Sequence, residues 1–267
     1  MALPTASEPA CRPGFPEPSS RWALFLDFDG TLAEIALRPQ DVVVPAALRG
    51  SLQALFDALG GAVALVSGRP VADLDRLMAP LRLPAAGQHG LEWRVTPDGV
   101  LRHGGGDPAL LDDLRTRFAA VAQQHPAIVI EDKTWSLSVH YRTAPAAESA
   151  IVAIATGHLP PGEALHMMRG KMVVEVKPTG IDKGKVIGQF LAEAPFTGRI
   201  PVFIGDDRTD EDGFAVVNGL GGVSIRVGPP PETLAASAAQ WQCTDVAELA
   251  GWLATLPARL ARDGSGT

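Results

Sequence analysis

The chain of 267 residues is long enough for one large domain or two modest ones, and its 46% hydrophobic and 20% charged residues are typical of a soluble globular protein. Its formal net charge of -7 argues against a general nucleic-acid binder, which would carry a basic patch. No apolar stretch approaches the roughly 20 residues that a membrane span needs. We expect a monomer whose partner is a small-molecule substrate, with no nucleic acid and no membrane involved.

Both ends of the chain are predicted to be disordered tails. Residues 1–20 are rich in Pro, Ser and Glu, and residues 259–267 finish in Gly and Ser. The first residues also lack the basic start and apolar block of a secretory signal. Cys11 and Cys243 lie far apart in sequence without metal-ligand spacing, which favours a reducing compartment over a disulfide. We therefore expect the protein in the cytoplasm.

The first block, residues 21–106, alternates strand and helix. Trp22–Leu26 is a short apolar run that ends at an acidic residue, which is typical of a fully buried parallel strand. A helical pattern over Pro45–Leu59 is followed by a second apolar strand at Ala62–Val66 and a short helix at Val71–Met78. This alternation predicts a doubly wound parallel sheet.

The middle block, residues 107–178, changes in character. After a helical stretch come strands in which apolar and polar residues alternate, as in Trp135–Arg142. An antiparallel sheet with one packed face and one polar face has this pattern. We therefore predict an inserted α+β domain.

The third block, residues 179–258, returns to the first style. It contains a helix that opens near Lys183, buried strands at Ile200–Ile204 and Val223–Val227, and a last helix over Asp245–Leu256. The predicted fold is thus α/β, with a doubly wound, Rossmann-like parallel sheet built from both ends of the chain.

Polar clusters follow three of the predicted parallel strands. Asp27 and Asp29 follow the first strand, Ser67 follows the second, and Asp206 and Asp207 follow a strand of the third block. Ligands of open parallel sheets bind beyond the carboxyl ends of the strands. We therefore expect an active site at this edge of the sheet.

The acidic residues suit phosphoryl transfer. A carboxylate nucleophile divides hydrolysis into formation and breakdown of an acyl phosphate, and a second carboxyl can act as acid and then as base. Asp27, the backbone carbonyl of Asp29 and Asp206 would suffice to hold Mg²⁺, with Asp207 or Asp210 holding water molecules around it. The alternative for the Asp-Phe-Asp-Gly-Thr segment alone is a simple turn after a strand.

Four segments resemble, in order, the motifs of the haloacid dehalogenase (HAD) superfamily: Asp27–Thr31, Ser67–Arg69, Lys183–Gly184 and Gly205–Asp210. The resemblance implies four catalytic residues. Asp27 would be the nucleophile and Asp29 the acid and base, while Ser67 would donate a hydrogen bond to the phosphate and Lys183 would neutralise its charge. The resemblance also implies that the metal ligands are Asp27, Asp29 and Asp206. The α+β insertion would be a cap between the second and third motifs.

Further segments are similar to the trehalose-6-phosphate phosphatases: Gln88–Glu92, Glu131–Lys133, Ser138–Arg142, Val174–Gly180 and Gly205–Phe214. The similarity extends from about Trp22 to Leu256. It implies substrate-binding roles for eight residues: Arg69, Gln88, His89, Gly90, Glu131, Lys133, Arg142 and Glu175. Alternatively, the residues of the cap strands among them form a solvated sheet face with cross-strand ion pairs.

The resemblance implies a Mg²⁺-dependent hydrolysis of trehalose 6-phosphate to trehalose and phosphate, as the last step of trehalose biosynthesis. Two alternatives stay open. One is a phosphatase for another sugar phosphate, of the sucrose phosphate or mannosyl-phosphoglycerate type. The other is a non-catalytic module that binds sugar phosphates, although such a module would not need a nucleophile at Asp27.

Overall fold

The structure is a computed structural model that describes residues 11–36, 38–104, 107–159, 164–170, 172–230 and 236–263. The chain divides into two compact units, Met1–Arg102 with Asp182–Thr267, and His103–Ile181. The second unit, which we call the inserted unit, is somewhat wider than the predicted insertion at 107–178. No helix in the described ranges combines the length and apolar character needed to cross a membrane.

Strands and helices are numbered in chain order. The strands are β1 (Arg12–Pro13), β2 (Trp22–Leu26), β3 (Val63–Val66), β4 (Ala85–Gly87), β5 (Glu92–Arg94), β6 (Arg102–His103), β7 (Val129–Asp132), β8 (Leu137–His140), β9 (Leu165–Gly170), β10 (Val173–Pro178), β11 (Ile200–Gly205), β12 (Val223–Val227) and β13 (Trp241–Cys243). The α-helices are α1 (Ala46–Ala58), α2 (Val71–Met78), α3 (Asp112–Gln124), α4 (Glu148–Gly157), α5 (Lys183–Leu191), α6 (Glu211–Gly219) and α7 (Val246–Asp263).

The larger unit is built on a mostly parallel sheet in the order β1-β13-β12-β11-β2-β3-β4-β5-β6. The strands from β1 to β4 in this order pair in parallel, and β5 is antiparallel to β4. The central strand β2 is buried along its whole length because both of its faces are covered. Leu24 and Leu26 pack with α1, α2 and α7 on one face, while Phe25 packs with α5 and α6 on the other. This confirms the predicted α/β, doubly wound core.

Parallel pairing places three polar strand ends side by side. β2 lies between β3 and β11, so the residues after these three strands emerge at the same sheet edge. The backbone N–H of Asp27 donates to Ile204 O of β11 at 2.9 Å, and that of Ser67 donates to Ala86 O of β4 at 2.9 Å. Sheet hydrogen bonds therefore fix the start of the loops after β2 and β3.

The inserted unit is an α+β layer, as predicted. Its antiparallel sheet has the order β7-β8-β10-β9, and its apolar face packs on α3 and α4 around Phe118 and Ile151. Glu131 pairs in register with Ser138, and Ser138 with Glu175, so these three side chains share the opposite, polar face. The two faces follow from the alternation in the sequence.

The prediction of a disordered tail over residues 1–20 is wrong for residues 11–20. Arg12 N–H donates to Gln240 O at 2.9 Å and Gly14 N–H to Gln242 O at 2.8 Å, which adds β1 to the sheet beside β13. The ring of Phe15 stacks on Trp252 of α7 with centroids 4.3 Å apart. A two-residue strand carries too little apolar pattern to be seen in the sequence.

The prediction of a disordered tail at 259–267 is also wrong in its first part. Helix α7 continues through Pro257 to Asp263, because Leu260 is buried in the same core as Leu253 and Leu256. Residues 1–10 and 264–267 of the two predicted tails lie outside the described residues. Cys11 and Cys243 are free thiols.

Candidate active site

Three carboxylates converge at the sheet edge beyond β2 and β11. Each of Asp27, Asp206 and Asp210 offers one oxygen to a group whose atoms all lie within 4.8 Å of one another. The buried Thr31 hydroxyl lies 3.4 Å from Asp27 Oδ2 and 3.3 Å from Asp206 Oδ1. The motifs that the sequence places 175 or more residues apart therefore meet in one acidic cluster.

Lys183 is the positive charge inside this cluster. Its Nζ donates to Asp27 Oδ1 at 2.7 Å and to Asp210 Oδ1 at 2.6 Å, and the side chain is buried. Burial lowers the pKa of Lys183, but the charges of Asp210 and Asp27 outweigh burial and raise that pKa well above its usual value. The residue therefore stays protonated and fixes one oxygen of Asp27.

The position of Lys183 depends on a close helix contact. Lys183 is the first residue of α5, whose N-terminus is capped by the Asp182 side chain accepting from Lys185 N–H. The next residue is Gly184, where a Cβ would lie 2.6 Å from Asp212 O of α6. Only glycine allows α5 and α6 to approach this closely.

Asp210 shapes the loop after β11. Its Oδ2 accepts from the backbone N–H groups of Asp206 at 2.9 Å and Asp207 at 3.0 Å, while Lys183 occupies Oδ1. A Cβ on Gly205 would lie 2.3 Å from Asp210 Cγ, so the turn requires glycine there. Asp210 therefore holds the loop that presents Asp206.

Asp207 caps the short helical turn that follows. Its Oδ1 accepts from Thr209 N–H and from the Thr209 hydroxyl, both at 2.7 Å. Burial raises the pKa of Asp207, but the charge of Lys183 and the bonds from Thr209 outweigh it, so the net shift is downward. Asp207 is thus an ionised carboxylate beside the cluster.

The acidic cluster fits a divalent cation. Burial raises the pKa of Asp27 to about 8, with Lys183 opposing the shift, and burial raises that of Asp206 to about 7, with Asp210 and Asp207 adding to it. Gly30 has φ +82°, and a Cβ there would lie 2.2 Å from Asp206 Oδ2, so glycine leaves room for this carboxylate. A set of carboxylate oxygens whose negative charge is compensated only in part by one lysine suits a hard cation.

Asp29 makes a contact of its own with Arg69. Arg69 Nε donates to Asp29 Oδ2 at 2.6 Å and Nη2 donates to Asp29 Oδ1 at 2.7 Å, a bidentate pair. The guanidinium also lies over the Phe28 ring, 5.7 Å from its centroid. The structure therefore joins the predicted acid and base directly to a residue predicted to bind substrate.

The segment Gln88–Gly90 follows β4 in an uncommon conformation. Its three residues have φ of +50°, +59° and +109°, in the left-handed region that only glycine adopts without strain. Gln88 N–H donates to Arg69 O at 3.0 Å, and His89 N–H donates to Ser67 O at 2.9 Å. These bonds tie the segment to the loop after β3.

Close packing keeps His89 next to the cluster. A Cβ on Gly68 would lie 2.8 Å from the His89 ring, so the ring rests against the backbone at that glycine. The charge of His89 also acts on Asp207, lowering the pKa of that carboxyl. The predicted residues Ser67, Gln88, His89 and Gly90 are therefore grouped beside the acidic residues.

In the inserted unit, the polar face carries ion pairs. Lys133 Nζ lies 3.3 Å from Glu175 Oε1, which also accepts from the Ser136 hydroxyl at 3.3 Å. Burial raises the pKa of Glu131, but its bond to His140 and the charge of Lys133 outweigh burial and lower that pKa. Arg142 lies two residues beyond the end of β8 and is exposed.

Several contacts were not predicted. Thr31 joins Asp27 and Asp206, and His140 Nε2 lies 3.1 Å from Glu131 Oε2. Arg226 of β12 is fully buried, donates to Glu211 Oε1 at 2.6 Å and also donates to the backbone carbonyl of Asp206. A charged arginine inside a short strand of mostly apolar residues is the signal that could have identified Arg226.

Comparison with known proteins agrees with this geometry. Residues 25–247 match the trehalose-phosphatase family. The trehalose-6-phosphate phosphatase of Escherichia coli (strain K12) is 42% identical over 247 residues, which cover 89% of this chain and 87% of that protein.

Solved structures share the fold. The C-terminal domain of the C. albicans trehalose-6-phosphate phosphatase superposes with a TM-score of 0.77 at 20% identity, covering 90% of this chain and 92% of that one. A phosphatase of the HAD superfamily from Bacteroides thetaiotaomicron superposes with a TM-score of 0.59 at 16% identity, covering 98% of each chain. With the fold, the acidic cluster and the sequence match in agreement, this chain belongs to the trehalose-phosphatase family and has the HAD fold.

Proposed function

We propose that this protein is a Mg²⁺-dependent phosphatase that hydrolyses trehalose 6-phosphate to trehalose and phosphate through an aspartyl phosphate on Asp27. The observation that carries the proposal is the bridge from Lys183 Nζ to Asp27 and Asp210, beside Asp206. Family membership and 42% identity to the E. coli enzyme support the substrate. The reaction would complete trehalose synthesis.

In the first step, Asp27 would act through the oxygen that Lys183 leaves free. That oxygen bonds to phosphorus while the bond from phosphorus to the sugar oxygen breaks, and the Asp29 carboxyl donates its proton to the departing oxygen. Trehalose leaves as a neutral alcohol, and Asp27 carries the phosphoryl group. Ser67 would donate a hydrogen bond to that group, and the charge of Lys183 would stabilise it.

In the second step, the Asp29 carboxylate would accept a proton from water as the water oxygen bonds to phosphorus. The acyl phosphate bond breaks, inorganic phosphate leaves, and Asp27 returns as a carboxylate with Asp29 protonated. Mg²⁺, held by Asp27, Asp206 and the Asp29 backbone carbonyl, would offset the repulsion between these carboxylates and the phosphate. Asp207 and Asp210 would hold water molecules of the ion.

The inserted unit would act as the cap that recognises the sugar. Glu131, Lys133 and Glu175 offer charged donors and acceptors on one sheet face, a chemistry that suits a ligand with many hydroxyl groups. Arg142 beyond β8, together with Gln88, His89 and Gly90 in the larger unit, would complete the binding residues. Specificity for the disaccharide therefore depends on the inserted unit more than on the catalytic loops.

A phosphate-release assay tests the reaction. With Mg²⁺ present, we expect trehalose 6-phosphate to be hydrolysed at least about tenfold more efficiently than sucrose phosphate or mannosyl-phosphoglycerate, a ratio that corresponds to about 1.4 kcal/mol of transition-state discrimination. Equal rates on all three compounds would refute trehalose 6-phosphate as the specific substrate. The phosphatase activity itself would still stand.

Asp27→Asn tests the nucleophile. The amide cannot form the acyl phosphate, so phosphate release should fall by about 10⁴-fold or more. Asp41→Asn, an exposed change outside the site, is the matched control and should keep wild-type activity. Unchanged phosphate release from the Asp27 variant would disprove its role as nucleophile, whereas no phosphate release from the wild-type protein would indicate a binding module.

A further inference from the structure

The two side chains of the Asp29–Arg69 pair differ in their exposure to solvent. The Arg69 side chain is 9% exposed, whereas that of Asp29 is 35% exposed. The carboxylate therefore has a surface open to a ligand, while the guanidinium behind it has very little. Such an arrangement suits a group that orients its neighbour better than one that offers its own surface to a substrate.

Arg69 is itself fixed from several sides. Its backbone N–H donates to Ser67 Oγ at 3.2 Å, and its carbonyl accepts from Gln88 N–H at 3.0 Å. Its guanidinium lies over the buried Phe28 ring, which separates Asp27 from Asp29 in the chain. A cation held over an aromatic face, with its backbone anchored, loses little further freedom when it pairs with a carboxylate.

On these grounds we propose that Arg69 is a positioning residue for Asp29, setting the place from which that carboxyl delivers and recovers its proton. The inference rests on the proposed function, because it assumes that Asp29 is the acid and base. The bidentate contact fixes the plane of the carboxylate as well as its distance. It differs from the substrate-binding role that the sequence predicts for Arg69.

The proposal predicts that a change at Arg69 affects substrates differently, according to whether their leaving group needs a proton. Trehalose is a poor leaving group that needs a proton, whereas p-nitrophenolate leaves without one. A displaced Asp29 should therefore slow the release of trehalose far more than the release of p-nitrophenol. Rapid-quench measurement of the first turnover isolates this step from the later attack of water.

We would compare Arg69→Met, Arg69→Lys, Asp29→Asn and the double variant Asp29→Asn/Arg69→Met. For Arg69→Met we expect the first-turnover rate with trehalose 6-phosphate to fall about 10- to 100-fold, with KM changed less than about threefold. The loss with p-nitrophenyl phosphate should be at least about tenfold smaller. Arg69→Lys, which cannot form the bidentate pair, should fall between wild type and Arg69→Met.

The double variant decides whether Arg69 acts through Asp29. We expect it to match Asp29→Asn alone, because a positioning residue has nothing left to position. Additive losses, a raised KM with unchanged kcat, or equal losses on both substrates would each overturn the inference. Arg76→Met, which removes an exposed ion pair with Asp73, controls for the loss of a surface arginine.

The same four variants show whether a failure concerns the role of Arg69 or the proposed function itself. If Asp29→Asn retains the wild-type rate on trehalose 6-phosphate, the acid and base of the proposed function is wrong. If Asp29→Asn is impaired but the double variant is additive, only the role of Arg69 is wrong. Thermal unfolding of each variant shows whether a rate loss is merely a loss of folded protein.

Discussion

Lys183 is buried between two carboxylates, and we expect its charge to serve stability as well as the proposed chemistry. Removing one partner of a buried ion pair is costly because the other partner is left buried and uncompensated. Here two partners, Asp27 and Asp210, would be left at once. The residue proposed to neutralise the substrate phosphate therefore also compensates the two buried carboxylates in the folded protein.

For Lys183→Met we therefore expect a double effect. The free energy of unfolding should fall by about 3–5 kcal/mol in metal-free buffer, and phosphate release should fall at least about 100-fold because the charge near the transferring group is lost. Urea denaturation measures the free energy of unfolding, and a phosphate-release assay measures the activity.

The control for that variant is Lys185→Met, two residues further along α5, where the side chain is largely exposed beside Asp182. Its effect on stability should stay within about 1 kcal/mol, as for exposed ion pairs generally. Equal stability of the two variants would contradict the assigned role of the Lys183 bridge.

In the larger unit, the sequence pattern without the family resemblance indicated candidate site residues only where they follow a strand. Asp27, Ser67 and Asp206 end apolar runs, and the edge of a parallel sheet brings such ends together. The contacts of Thr31 and Arg226 with the Asp206 loop were not predicted, because they depend on side-chain packing between segments that are far apart in sequence. The pairing of Arg69 with Asp29 could not be predicted from the sequence for the same reason.

At the scale of elements, periodicity predicted the sheets well. The alternation in β8 and β10 correctly placed Ser138 and Glu175 on one face. The pairing of charges on that face, such as Lys133 with Glu175, could not be predicted. It depends on the register between strands, which the pattern within a single strand does not determine. The shortest element, β1, was missed because two residues give no period at all.

The stacking of Phe15 on Trp252 connects the segment after β1 to α7, and it offers a test of that element. The rings are nearly parallel, with an interplanar angle of 7°. For Phe15→Ala we expect the free energy of unfolding to fall by about 1–2 kcal/mol, from lost aromatic stacking and lost apolar burial. Chemical denaturation measures this change.

Val100→Ala is the matched control, since Val100 is 83% exposed in the same unit. Its substitution should change stability by less than about 0.5 kcal/mol. If Phe15→Ala behaved like Val100→Ala, the stacking of Phe15 on Trp252 would contribute nothing measurable to stability.

For the whole molecule, the acidic cluster makes stability depend on pH and on metal. The pKa values of Asp27, about 8, and Asp206, about 7, are raised above the usual 3.8. Folding therefore favours their protonated forms, and in metal-free protein the stability should decline as pH rises from about 4 to 8. A bound cation would replace those protons and oppose the decline.

We accordingly expect Mg²⁺ to raise the Tm, and to raise it more at pH 8 than at pH 6. At 100 times its dissociation constant, a ligand specific to the folded state adds about 2.7 kcal/mol. Calorimetry with Mg²⁺ and with EDTA at both pH values measures the difference. A Tm indifferent to Mg²⁺ at both would refute a magnesium site in the acidic cluster.

The position of β2 between β3 and β11 has a consequence for the order of events during synthesis on the ribosome. One neighbour of β2 is made within the next 40 or so residues, but the other is encoded beyond the inserted unit. Until residues 200–205 emerge from the ribosome, one edge of β2 has no neighbouring strand. Its backbone N–H and C=O groups are then open to pairing with a wrong segment. Asp27, the proposed nucleophile, is therefore translated early, but Lys183, Asp206 and Asp210 join it only when most of the chain has been made.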